Sequence, residues 1–265
     1  MLLLIRAANR MKPRKPPGHR KEAALGWQLL VVVFVLVAGV PTSRAGDMVL
    51  DGKLGPGGPL AGPNYDITAD LGRTVGNNLF HSFARFNLSA GDLATFSGPA
   101  NIQNILTRVT GGGASSIDGT VRSSIAGANV FLINPSGVVF GPNAAVDVTG
   151  SFAVSTANYL KLANGARFVA ALDADDSMLS TDPVVAFGFL DGAAGNVTVH
   201  GTLQMPEGKT LTVVGGDISV VGGKLLTANG RVNLVSAKAA GEVRESWVDR
   251  DPCGWAEASK DGDVL

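Results

Sequence analysis

The chain has 265 residues, 35 of them glycine, with 45% hydrophobic and only 17% charged residues. That apolar content excludes intrinsic disorder, and the length is enough to bury one large core or two small ones. The formal charge is zero, but residues 1–45 hold eight Lys or Arg against one acid, leaving 14 bases and 21 acids beyond them, with no basic stripe for nucleic acid.

In chain order, residues 1–45 read as a signal peptide. Arg10, Lys12, Arg14, Lys15, Arg20 and Lys21 precede the apolar run Leu29–Val40, and Ser43-Arg44-Ala45 supplies small residues for cleavage before Gly46. A membrane anchor is the competing reading, but the unbroken apolar run is shorter than the roughly 20 residues that a span needs. Gly46–Pro63 predicts an entry strand at Met48–Leu50 followed by turns, and the alternation in Asn64–Leu71 predicts another strand. Phe80, Phe83 and Phe86 then recur three apart, a spacing that fits either a short helix or an irregular aromatic cap over the end of a stack, with Asn87 at its edge. Gly111-Gly112-Gly113 is a breaker, and a regular rhythm of short strands begins at Ser116.

Within Ala128–Leu160, Val130 and Leu132 recur as Phe152 and Val154 twenty-two residues later. Gly195–Ser236 divides into two blocks of twenty-one residues, which place Val197 on Ile218, Val199 on Val220, Gly201 on Gly222, Leu211 on Val232 and Val213 on Leu234. Such register predicts stacked coils of three short strands, the pattern of a parallel β-helix, with right-handed crossovers. A β-sandwich shares the composition but gives no reason for a register that persists over a full coil. Leu160–Gly195 interrupts the rhythm and predicts an excursion from the helix, as a hairpin. The expected helix domain is 46–241, with 242–265 an irregular tail that contains Trp247 and Trp255.

Catalytic constellations do not stand out. His200 falls at a coil corner and His81 in the aromatic segment, both positions that suit structural histidines. Asp173, Asp175 and Asp176 read as a solvated loop rather than paired carboxylates, since no Arg or Lys lies beside them. The spacings hold no metal-ligand pattern, phosphate loop or nucleophile elbow, so no cofactor is expected. The single cysteine, Cys253, excludes an intramolecular disulfide, which a solenoid does not need because each coil buries its neighbour's apolar face. What remains is turn chemistry. Asn134 can bond its own backbone, Pro135 pre-sets φ, Gly137 accepts positive φ, and Val138 restarts a strand.

These residues, taken in order, resemble the N-terminal secretion domain of filamentous haemagglutinin-type exoproteins, also called the haemagglutination activity domain of two-partner secretion. The resemblance runs from about Val49 to Val243. It is carried by Asn78–Phe83 leading to Phe86-Asn87-Leu88, by Ile105–Gly112, by Ile133-Asn134-Pro135-Ser136-Gly137-Val138, and by Phe187-Gly188-Phe189. The family's Asn-Pro-Asn-Gly-Ile motif stands here as Asn134–Val138. Its Asn-Pro-Asn-Leu motif has no counterpart in Phe96–Ile102. The resemblance implies an all-β fold: a single-stranded, right-handed, pectin-lyase-like β-helix with an N-terminal cap and an extra-helical hairpin. It also implies export to the periplasm and recognition by the POTRA domains of an outer-membrane β-barrel transporter. Folding outside the cell would follow, with cell-surface glycans or proteins as further partners and no enzymatic activity. The family usually continues well beyond this length, so a truncated continuation is expected. The alternative is an exported carbohydrate-binding or carbohydrate-cleaving β-helix.

Overall fold

The structure, a computed structural model, describes residues 47–170, 179–190 and 194–245. The export signal, the Asp173–Asp176 loop and Cys253 lie outside them. β1 (Met48–Asp51) and β2 (Gly57–Pro59) form an antiparallel hairpin. β3 (Asn64–Ile67) starts the winding, and β4 (Arg73–Val75) turns back as an antiparallel partner of β5 (Asn78–Phe86).

From β5 onward the chain coils through three faces. The first coil is β5, the bridging residue Leu88, and β6 (Leu93–Phe96). The second is β7 (Asn104–Val109), β8 (Ser115–Ile117) and β9 (Thr120–Ser123). The third is β10 (Asn129–Ile133), β11 (Val138–Phe140) and β12 (Ala145–Asp147). β13 (Phe152–Ser155) opens the fourth, but the chain then leaves through β14 (Tyr159–Leu162), β15 (Arg167–Val169) and β16 (Val184–Phe189). It returns as β17 (Val197–Val199) and β18 (Thr202–Met205), and winds on through β19 (Thr210–Gly215), β20 (Ile218–Val220) and β21 (Lys224–Thr227). β22 (Arg231–Ser236) begins a sixth coil, and β23 (Gly241–Arg244) leaves the helix again.

The stacked strands pair in parallel, in the order β5-β7-β10-β13-β19-β22 on the first face, β8-β11-β17-β20 on the second and β3-β6-β9-β12 on the third, where β18 and β21 form their own ladder. This is a right-handed parallel β-helix of about six coils. The register read from the sequence holds: Val130 pairs with Phe152 and Leu132 with Val154, while Val197 meets Ile218 and Leu211 meets Val232. The third face departs from it. Thr202 pairs with Lys224, so Gly201 sits against Gly223 rather than Gly222, and Gly222, at φ +72°, is the inserted residue that lets the corner turn.

On the second face β8 and β11 alternate buried and exposed, whereas β7, β10 and β13 of the first face are buried on both sides, β7 along its whole length. One side fills the coil interior with Leu79, Ile105, Val130, Phe152 and Leu211. The other side, with Phe80, Leu106, Phe131 and Val214, lies under a second apolar layer built from Leu160, Phe168, Val184 and Phe187. That layer belongs to a four-stranded antiparallel sheet, β15-β14-β16-β23. The expected hairpin is therefore β14–β15, extended by two more strands. The boundary at 241 needs correction, because Glu242–Arg244 pair with β16 and so form part of the fold.

Candidate functional site

The Asn134–Val138 segment forms the corner between the first and second faces of the third coil. Asn134 is 1% exposed. Its Oδ1 accepts the Ser136 N–H and its carbonyl accepts the Gly137 N–H, both at 3.0 Å, closing a tight turn. Its amide donates to the Gly113 carbonyl and to Ser115 Oγ of the coil before, each at 3.0 Å. Toward the coil after, the Asn134 N–H donates to the Ser155 carbonyl, the Gly195 N–H donates to the Pro135 carbonyl, and the Val138 N–H donates to the Asn196 carbonyl. The turn thus joins three coils.

Gly137 holds φ at +117°, and a Cβ there would crowd the Asn196 carbonyl at 3.1 Å. Pro135 is half-buried and Ser136 exposed. The turn uses the Ser136 backbone rather than its hydroxyl, which explains why serine can stand where the family's pattern has asparagine. Val138 is fully buried in the interior core. An open groove of about 610 Å³ runs along the corner, lined among others by Ser136, Gly137, Val139, Asn196 and Lys238.

Phe80, Phe83 and Phe86 lie in a continuous strand, not in a helix or an irregular plug. β1 pairs Val49 with Arg85 and Leu50 with Phe83, so Ala84 is a bulge. The bulge resets the alternation and turns both Phe83 and Phe86 into the interior, with ring centroids 5.2 Å apart. Phe80 faces the other way and meets the Phe168 ring edge-on at 5.1 Å. The outer edge of β5 is covered by the backbones of β1 and β4. Asn87 turns the first corner, its Oδ1 accepting the Ser116 N–H at 2.8 Å.

Three features escaped the sequence reading. Asn78, Asn104 and Asn129 stack at the start of their strands as a ladder: the Asn104 amide donates to Asn78 Oδ1 at 2.9 Å, and the Asn129 amide to Asn104 Oδ1 at 3.2 Å. The Asn78 amide reaches the carbonyls of Ser180 and Asp182, at 2.9 and 2.7 Å. An asparagine before each apolar run, 26 and 25 residues apart, was the available signal. Arg108, 1% exposed, donates to Ser82 Oγ and to the Val169 carbonyl, and its guanidinium lies 4.8 Å from the Phe168 ring centre. Ser82 and Thr110 both donate to Asp51 Oδ2, which ties β1 to the same cluster.

His81 is buried in the interior beside Phe83 and Phe96, and neither ring nitrogen has a hydrogen-bond partner among the described residues. Burial pushes its imidazole down to about 4, with the Asp70 carboxylate opposing. His200 lies at an exposed corner with Nδ1 3.1 Å from the Val221 carbonyl. In the extra-helical sheet, burial works to raise the Glu242 carboxyl. Hydrogen bonds from Lys161 and Tyr159, with the charges of Lys161 and Arg167, outweigh it and hold the group below its usual range. No group of three His, Cys, Asp or Glu among the described residues is placed to hold a metal ion.

A capped β-solenoid with an extra-helical sheet, and a corner at Asn134 bonded to the coils on both sides, defines a repetitive structural module. Residues 61–245 match the sequence profile of the TPS (two-partner secretion) secretion domain, and the chain belongs to that family. No curated protein matches the chain at a significant level. Domains of this family are structural rather than catalytic. Membership makes the chain a filamentous haemagglutinin-like secretion domain, secreted with the help of a cognate outer-membrane transporter.

Proposed function

We propose that residues 1–45 direct Sec export and are removed before Gly46, and that the helix domain is then bound in the periplasm by the POTRA domains of an outer-membrane β-barrel. In this reading the Asn134–Val138 corner nucleates coil stacking once the chain has crossed a Gram-negative-type outer membrane. Phe83 and Phe86 fill the first coil beneath β1, and Phe80 seats the extra-helical sheet. Cell-surface glycans or proteins are the partners the exported module would meet.

The observation that carries this is the bonding of one turn to the coils on both sides of it. A corner that joins three coils sets their register. Burial at about 25 cal/mol per Å² then accumulates coil by coil without an external energy source.

Secretion assays in cells that carry the transporter test it. Asn134→Ala and Gly137→Ala are expected to lower the secreted fraction while periplasmic export stays intact, and Ser136→Ala to behave as the parent. Undiminished secretion of Asn134→Ala would remove the role given to the corner. A transporter lacking its POTRA domains should leave the protein in the periplasm, and secretion through it would remove the proposed partner.

A further inference from the structure

The two ends of the solenoid are finished differently. At the N-terminal end, β1 and β4 run antiparallel along β5 and close its edge. At the other end β20, β21 and β22 each pair with one neighbour only. Inward-facing residues there are uncovered: Val220 is 40% and Leu234 51% exposed, while the residues they stack on, Val199 and Val213, are fully buried. Leu225, which stacks on the buried Leu203, belongs to the same layer, while Val221 and Leu226 are exposed on the outer flank beside it. Lys224 and Arg231 on its strands make no ion pair among the described residues, whereas Lys238 is paired with Asp217.

We propose that this open end is a docking surface for residues 246–265 of the same chain. That segment follows Glu245, which is buried against β19 through Thr212. Its length allows a reach of up to about 65 Å, several times the width of a coil face. It offers Trp247, Val248 and Trp255 to an aliphatic patch. It also carries Asp249, Asp251, Glu257, Asp261 and Asp263 against Arg250 and Lys260, an excess of acid to meet Lys224 and Arg231. An open coil with a free strand edge and an exposed core layer needs a cover of this kind.

Tryptophan fluorescence of the full chain carrying Trp27→Phe tests this directly, because Trp247 and Trp255 are then its only tryptophans. Blue-shifted emission, protected from iodide and independent of protein concentration, is expected. It should shift red and lose protection in Lys224→Glu/Arg231→Glu and in Leu234→Asp. Emission like that of free tryptophan in the parent, or emission unchanged in these variants, overturns the proposal. Protection that disappears on dilution overturns it in favour of a second copy at the open end. Should the substitutions unfold the helix, the chain ending at Glu245 gives a second reading. Its binding of a hydrophobic dye should rise above that of the full chain, and equal binding overturns the proposal.

Discussion

The interior of the coils and the layer beneath the extra-helical sheet share the same strands but are specified in different ways. The interior is apolar and local: residues two apart point inward and meet their equivalents one coil later, with His81 and Thr107 as buried polar groups lacking partners among the described residues. The outer layer is bordered by polar groups with distant partners. Arg108 reaches Val169 across 61 positions, and Asn78 reaches Asp182 across 104. Stacking needs only matching volume and register, so repetition suffices. Docking a sheet on a flat face leaves many sliding positions of similar apolar burial, and directional bonds remove all but one of them.

The largest effects should distinguish the two cores. Phe152→Ala, in the interior, is expected to lower the stability of the whole domain by about 3–5 kcal/mol in one denaturation transition. Phe187→Ala should instead make residues 159–189 sensitive to protease while the parallel strands keep their hydrogen-exchange protection. Loss of that protection together with the excursion would mean that the two cores form one cooperative unit.

A smaller effect concerns the interior's buried histidine. The unfolded chain takes up a proton on His81 near pH 6.5, but the folded chain only near 4. The unfolded state therefore binds more protons between those values, and stability falls as pH drops through this window by about 3 kcal/mol. His81→Phe should remove that slope in chemical denaturation followed against pH, and an unchanged slope would place its origin elsewhere.

The smallest effect tests the outer layer's edge. Asn104→Ala interrupts the asparagine ladder and should cost about 1–3 kcal/mol, because Asn78 Oδ1 loses its donor and the Asn129 amide its acceptor. Asn104→Asp should be worse than Asn104→Ala, since a carboxylate cannot donate to Asn78. Equal melting temperatures for parent and Asn104→Ala would show that the ladder does not hold the layer.

The same contrast explains what the sequence made legible. The pairing of Val130 with Phe152 was readable because inward residues recur once per coil, and the corner at Asn134 because its residue types have local turn chemistry. The alternation of Phe83 and Phe86 was hidden by a bulge at Ala84, which exists only once β1 is paired beside it. β23 was hidden for a related reason: its partner β16 lies some fifty residues away and runs antiparallel, outside any repeat. Arg108 and Asn78 stood in view, but the carbonyls of Val169, Ser180 and Asp182 that they reach lie in a segment that periodicity reports only as an interruption.

The Asn78 amide bonds bear on timing. Donors in the first coil pair with carbonyls at Ser180 and Asp182, and Arg108 in the second pairs with Val169. Whatever the order in which segments leave a membrane, the opening coils cannot be completed from the first hundred residues alone. They stay provisional until the chain has delivered the excursion and returned to the helix. The domain in effect measures its own length, and its beginning is locked only when most of it has arrived.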